Sequence, residues 1–574
     1  MRFVIAIVLF VVAAATVGYG LAQRTILAGP SSVTHEVTVR GGAPLTLIEP
    51  ASLHAHPGTQ TVTIAGSKTV FLAAGRRNDV RAWIGTTSFA DIGWSTKRLA
   101  FTQRAVTGEE RTAPSPAGSD LWVQESTGSS EITRRFDAPD DVALLVASTG
   151  KKAAPARISI TWPLDNSTPW STPLVIGGMG VLILGLLAFI WALVHARRRR
   201  GPRRKTPRTP RNPRPPQLRR SADRKAIEPP QRGRRRSAAL GLVAAGATAS
   251  LLLAGCTSAV PPEATASSTP AGPKLQPTAV TEPQLDHILD RVEHTVADAD
   301  DKRDATLLAT RMDGPALALR TANYKIRGAS STSPAVPALP TGRVSIALPQ
   351  QTKTWPRAVF AVVQSATDAK AAPVGMMLVQ NSPRENYKIV YATTLELDVP
   401  AVAPATVGAQ RQAADNKIGI LRPDQLAEAY GDTLINGDKS EYADDFQTTG
   451  DKLAAAIGAS YKATKKSKLP ATATILYTNE AGPGETIAFG TNDSGQIVAV
   501  EDRDTETVKP TETGAAVNPS GEVKTLSGKA QSLKGITATY GLQLLFYVPP
   551  VSAKGKKIQL LGFAQGLIAA SEVR

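Results

Sequence analysis

Cys256 is the only cysteine in 574 residues, and it closes the string Leu253-Ala254-Gly255-Cys256. Small residues before a cysteine let a membrane enzyme approach the backbone, and the thiol is the nucleophile that would receive a lipid. Upstream stand the apolar run 238–255 and a basic group, Arg232, Arg234, Arg235 and Arg236. A basic n-region, a short apolar h-region and a small-residue box make up a secretory signal. The pattern predicts lipidation of Cys256, with Leu253, Ala254 and Gly255 as the recognition box. Its place in mid-chain sets it apart. A diacylated cysteine anchors stably, where a single acyl chain is marginal. The competing reading is a third transmembrane helix that ends in a buried cysteine. The run 238–255 is short and Ala/Gly-rich for a permanent span.

The other chemistry-bearing residues form weaker patterns. His54 and His56 share one face of an expected strand, but two ligands are too few for a metal centre. His287 and His294 lie seven apart on an expected helix. Asp298-x-Asp300-x-Lys302-x-Asp304 has calcium-loop spacing. However, Lys302 fills a ligand position, the sixth position lacks glycine, and Ala309 stands where a closing Glu is needed. Asp298, Asp300, Asp301, Asp444 and Asp445, with Tyr324 or Tyr461, are candidates for an acid–base pair, although capping of helix starts accounts for them. The chain has no G-x-S-x-G, no HExxH, no phosphate-binding glycine loop and no paired cysteines. The expectation is a non-enzyme with no catalytic residue, no metal and no cofactor.

Apolar runs decide where these residues sit. Residues 3–22 are uncharged and long enough to cross a bilayer. Leu21-Ala22 offers a signal-peptide cut, but the run exceeds a typical signal core and is read as a retained anchor. Residues 174–194 form a second transmembrane helix, flanked by Trp170 and Trp191 and followed by Arg197, Arg198, Arg199 and Arg200. A positive cluster marks the cytoplasmic end, which puts residues 25–172 outside.

The formal net charge is +18, yet residues 197–236 alone hold 18 Arg and Lys against Asp223 and Glu228. Its prolines make this segment an extended tether. A basic juxtamembrane tether adheres to anionic lipid at about 1 kcal/mol per residue near the surface. No aromatics interleave its basic residues, which argues against nucleic acid.

Residues 30–168 carry short strand-like runs: 35–39, 61–64, 69–72, 80–84, 121–124, 142–146 and 157–162. Seven such runs predict an all-β sandwich ectodomain. Five of the seven tryptophans fall in or beside it (Trp83, Trp94, Trp122, Trp162 and Trp170), chiefly for core packing and interfacial seating.

A Pro/Ser/Thr-rich linker, 257–280, leads to helices followed by strands, twice over: 281–400 and 421–574. A shift of 137 residues superposes Asp301-Lys302 on Asp438-Lys439 and Ala322-Asn323-Tyr324-Lys325 on Ala459-Ser460-Tyr461-Lys462. It also brings 285–298 onto 422–435 and 313–323 onto 450–460. A duplicated α+β unit is the economical account.

This pattern resembles the NTF2-like (cystatin-like) superfamily, and more narrowly actinobacterial envelope lipoproteins carrying two such units. The resemblance rests on element order and the repeat and carries no site motif across. The apolar runs, their flanking arginines and the Cys256 box together imply a plasma-membrane protein, multi-pass or lipid-anchored, with both folded regions extracytoplasmic. The implied role is a binding or scaffold module in envelope assembly or transport, with a protein partner or a lipid or glycan ligand. A lipid or glycan carrier ranks second, and an enzyme with a buried Asp/Tyr pair third.

At about 105 Da per residue, from 60.3 kDa over 574 residues, cleavage before Cys256 would leave fragments of about 27 and 33 kDa. Immunoblots of the chain tagged at both ends should show both fragments in the wild type and neither in Cys256→Ala. A single full-length band in both would argue against cleavage.

Overall fold

The computed structural model describes residues 1–198 and 276–574. Cys256, Leu253, Ala254, Gly255, the run 238–255 and the basic residues Arg199, Arg200, Arg234, Arg235 and Arg236 lie outside them. The chain forms two compact units, Met1–Ala28 with the helix after Ser167, and Gly29–Asn166 with Pro273–Arg574.

The chain begins with α1 (Arg2–Arg24). It then enters a mixed sheet of β1 (Ser32–Thr38), β2 (Leu45–Ile48), β3 (Gln60–Arg76), β4 (Phe89–Ser95), β5 (Ala100–Val106), β6 (Gln124–Phe136), β7 (Val142–Ala147) and β8 (Arg157–Pro163). Short helices α2 (Pro50–Leu53) and α3 (Arg77–Ile84) interrupt it. The order is β1-β8-β3-β7-β2-β4-β5, with β6 also on β3 and a parallel β2–β4 pair. The long β3 pairs with β8 through its first half and β7 through its second. One hydrogen-bonded sheet therefore coils around a core containing Val62, Leu72, Leu144, Ile160 and Trp162. This replaces the two separate sheets of the expected sandwich. His35 on β1 meets Phe101 on β5 at 6.4 Å, where the coil brings the two ends together.

Two strand readings in this region need correcting. Residues 80–84 lie in α3: Val80, Trp83 and Ile84 are buried at i, i+3 and i+4, the helical spacing, although the run also alternates. Leu121 and Trp122 are consecutive buried residues in a turn, with Trp122 Nε1 donating to Pro116 O, and β6 begins only at Gln124. Trp83, Trp122 and Trp162 are core residues, while Trp170 is exposed.

α4 (Ser171–Arg198) packs on α1 through Phe189, which meets Phe3 and Phe10 edge-on. Arg24, at the end of α1, donates to Ser171 Oγ at 3.0 Å, so the helix ends that lead to and from 29–166 are adjacent. Both helices are long and apolar enough to cross a membrane, and most of their surface is exposed.

The C-terminal part starts with α5 (Glu282–Lys302), α6 (Ala305–Leu308) and α7 (Gly314–Ala329), then β9 (Val344–Pro349), β10 (Arg357–Val363), β11 (Val374–Gln380), β12 (Lys388–Leu395) and β13 (Arg411–Gln412). Thr281 and Gln284 form a capping box at the start of α5. A second set of helices follows: α8 (Leu426–Asn436), α9 (Lys452–Ile457) and α10 (Ala459–Ser467). After these come β14 (Ala473–Ala481), β15 (Ile487–Gly490), β16 (Gln496–Pro510), α11 (Gly521–Ser527), β17 (Ile536–Val548) and β18 (Gln559–Glu572). The helices-then-strands order thus occurs twice.

All these strands join one sheet, β13-β15-β16-β17-β18-β12-β11-β10-β9, with β14 on β16. The halves meet at a short seam, Thr394↔Phe563 and Leu395↔Gly562. A Cβ at Gly562 would lie 2.5 Å from Thr394 O, so glycine is needed there. The sheet doubles over. One face of each half contributes to a shared core with Phe360, Met377, Phe489 and Leu545, while α5–α7 and α8 cover the opposite faces.

Residues 29–166 are bolted to this part by buried ion pairs. Arg311 donates through both Nη atoms to Asp120, at 2.6 and 3.2 Å, and Tyr387 N–H adds a third bond at 2.8 Å. Arg357 donates to Asp79 at 2.7 Å. Arg384 reaches the last carbonyls of α3 (Trp83 O and Ile84 O) and also Glu110. Removing one partner of a buried pair strands the other charge, at a cost of about 3–5 kcal/mol. Asp120→Ala should therefore lose that much in denaturant unfolding of the detergent-solubilised chain, and Asp120→Leu with Arg311→Leu should recover most of it. Asp298→Ala breaks an exposed helical pair with Lys302 and should cost about 0.3–0.5 kcal/mol. Equal losses for Asp120→Ala and Asp298→Ala would refute a buried, paired Asp120.

Candidate functional site

Two adjoining cavities lie beside the middle of β18. The first, about 310 Å³, is lined by Met312, Ala316, Leu319, Ile326, Val336, Leu339, Val374 and Ala392, with Arg320, Asn323, Thr394 and Gln543 as its polar groups. The face of α7 toward the sheet supplies much of this wall. Gln543 is held in place by the Ala392 N–H at 2.8 Å. A Cβ at Gly566 would lie 2.5 Å from Leu319 Cδ1, so a larger residue there would turn the Leu319 side chain that lines the cavity.

The second cavity, about 270 Å³, has a polar, aromatic wall: Tyr461, Lys462, Lys465, Tyr477, Asp504, Glu506 and Tyr540. Glu522, Gln565, Gly566 and Leu567 line both cavities. Buried Lys462 donates to Asp504 Oδ2 at 2.8 Å and to Ile457 O at 2.7 Å, and its ammonium sits 5.4 Å from the Tyr477 ring centre. Lys465 holds both oxygens of Glu506, and Tyr540 Oη also donates to Glu506. Asp504 Oδ1 and Tyr477 Oη are buried without a hydrogen-bond partner among the described residues. Burial raises the pKa of Asp504 against the pull of Lys462. Behind it, fully buried Asp502 accepts from Asn479 Nδ2 at 2.6 Å, and burial pushes its pKa up to about 7.

The residues singled out from sequence fall mostly elsewhere. Arg197 and Arg198 are exposed at the end of α4. Asp298 pairs with Lys302 on the surface, and Asp301 is exposed. Asp300 accepts from Tyr324 Oη at 2.6 Å and from Arg320, while Tyr430 Oη donates to Asp451 at 2.8 Å. Each Asp–Tyr pair ties one helix to another element, and neither pair lines either cavity. Asp444 lies 3.8 Å from Lys557, and burial raises the pKa of Asp445, with the charge of Asp444 adding to the effect. Tyr461 does line the polar cavity, about half exposed.

His54 and His56 follow α2 in a turn and do not sit on a strand. His56 stacks on His35 at 5.6 Å beside Trp162. His287 and His294 are exposed on α5. The would-be calcium loop is the end of α5, Arg303 in the left-handed region, and Asp304 capping α6.

Sequence reading missed Lys462, Asp504, Glu506 and Tyr540. A signal was present: Asp502, Asp504 and Glu506 alternate along a strand whose residues 497–500 are all apolar, and period-two acids on a strand share one face.

Asp502 makes stability depend on pH. The folded protein keeps its proton up to about 7, whereas the unfolded chain releases it near the ordinary carboxylate value. Between these values the folded state binds more protons, so stability falls as pH rises from about 4 to about 7, then levels off. The slope is at most about 1.4 kcal/mol per pH unit. Asp502→Asn should flatten that segment of a stability–pH curve, and an unchanged curve would rule the group out.

No curated protein and no solved structure matches the chain. A family model described as a domain of unknown function, DUF8094, matches residues 276–572, from just before α5 to the end of β18. That span holds both cavities and covers more than half of the 574 residues, and the chain belongs to this family.

Proposed function

We propose that this is a membrane-anchored, extracytoplasmic binding protein for an amphiphile, whose apolar chain enters the cavity under α7 and whose polar head rests among Tyr461, Lys462, Asp504 and Tyr540. One observation carries this reading: an apolar cavity and a polar, tyrosine-rich cavity share the wall Glu522–Gln565–Gly566–Leu567. Ligand sites are typically mostly apolar with a few placed polar groups, and the first cavity has that character. Lys462 and Asp504 give a head group both a cation and a free carboxylate oxygen, and flat tyrosine rings suit a sugar or other polyol head. The reading joins the scaffold and carrier expectations, since a bound lipid or glycolipid is the cargo of an envelope module.

Two helices able to span a bilayer support the membrane placement. In this reading α1 and α4 form an antiparallel hairpin, Arg197 and Arg198 mark its cytoplasmic end, and 29–166 lies outside. Lipidated Cys256 then anchors 276–574 on the same side, as an NTF2-like pair of α+β units. Once cleaved, the two products stay joined through Asp120–Arg311 and Asp79–Arg357.

Calorimetric titration of the full chain in nanodiscs with a short-chain glycolipid below its micellar concentration tests this. Ala316→Phe, which fills the apolar cavity, and Lys462→Met, which alters the polar one, should each weaken binding at least tenfold. The free sugar should bind far more weakly than the glycolipid. Equal binding by wild type and both variants would exclude these cavities.

A further inference from the structure

β9 ends the ten-stranded sheet, and among the described residues β10 is its only strand neighbour. Gln350 N–H donates to Ala358 O. By antiparallel alternation, Leu348 and Ile346 then aim their backbone groups at β10, and Ala347 aims its own at the open edge. Such an edge is a template for another strand unless it is covered. Among the described residues only its far end is closed: Ala409 N–H donates to Pro349 O, and Gln351 N–H to Ala409 O. Along the rest runs a groove of about 790 Å³ between α5 and residues 399–405. Ile346, Val399 and Val402 give it an apolar lining.

The α5 wall is acidic. Glu282, Asp286 and Asp290 line the groove and are exposed. Among the described residues the ion pairs of α5 involve Arg291, Glu293, His294, Asp298, Asp300 and Lys302, and none of these three. Spaced at i, i+4 and i+8, the carboxylates are about 6 Å apart along the helix axis. Same-face side chains of a strand recur at about 6.6 Å.

We propose that this groove is a docking site for an extended polypeptide segment of a partner protein. The segment adds to the sheet at β9 and carries Lys or Arg at every second position, facing Glu282, Asp286 and Asp290. Backbone bonds to the edge supply affinity and the carboxylates supply selectivity, as in other strand-addition sites. This site is separate from the two cavities, and its test does not depend on them.

The probe is a labelled, capped Lys-Val-Lys-Val-Lys-Val-Lys peptide. Its fluorescence anisotropy is read with the full chain in zwitterionic-lipid nanodiscs, with empty nanodiscs subtracted. Binding should weaken at least tenfold in Asp286→Asn with Asp290→Asn, and at least tenfold when alternate peptide nitrogens are methylated. Ala347→Pro should also weaken it, because that proline removes a donor from the open edge and none from the ladder to β10. The Lys462→Met variant should bind the peptide normally. The proposal fails if the peptide does not bind, if a Glu-Val repeat or the methylated peptide binds as well, or if light scattering shows a dimer that Ala347→Pro abolishes, which would make a second copy the occupant.

Discussion

The pairing of Asp120 with Arg311 is the interaction on which this architecture turns. Both side chains are buried, and Asp120 is saturated by two guanidinium nitrogens and a backbone N–H. Desolvating two charges costs several kcal/mol each, and only complete pairing with good geometry offsets it. Such a contact tolerates almost no misalignment. Asp79 with Arg357 repeats the device, and Arg384 adds backbone carbonyls as acceptors. The coiled sheet and the doubled sheet thus have one way to fit together. The acids come from residues 29–166 and the arginines from the far side of the segment that holds Cys256. That arrangement joins the two regions by contacts independent of the segment between them.

Within the C-terminal part, the fold-over of the sheet does for the cavities what the ion pairs do for the domains. A seam of two residue pairs joins β12 to β18, and α7 crosses from the first helical set to pack on a strand of the second half. The apolar cavity therefore draws its walls from both halves. Its neighbour takes Lys462 from a helix, Asp504 and Glu506 from β16, and Tyr540 from β17. Placing acids on a buried strand, just after the apolar residues 497–500, burdens the fold with desolvation, visible in the raised pKa of Asp502 and Asp504. Local unfavourable terms of this kind concentrate at functional sites.

The segments 80–84 and 121–124 depart from the strands that their sequences suggest, each for its own reason. In 80–84 alternation and helical periodicity overlap, because Val80, Trp83 and Ile84 satisfy i, i+3, i+4 while Val80, Ala82 and Ile84 satisfy period two. Five residues are too few to separate the two periods. In 121–124 adjacent large apolar residues were taken for a buried strand, but a turn can bury both when it lies beneath a docked domain. The buried strands β7, β10 and β11 were legible because every residue in them is apolar or nearly so.

By itself the sequence determined what rests on local composition: two apolar helices, the position of the basic segment, the lone Cys256 in its small-residue box, and the alternation of helical and strand-rich stretches. Each follows from periodicity or charge within a few turns of chain. Only the tertiary structure decided that the first domain is one coiled sheet, that both helical sets share a second sheet, and which charged residues face inward. Those outcomes depend on burial between residues as distant as Asp120 and Arg311, or Ala316 and Leu567, and no local pattern records the desolvation and packing energies that such pairs exchange.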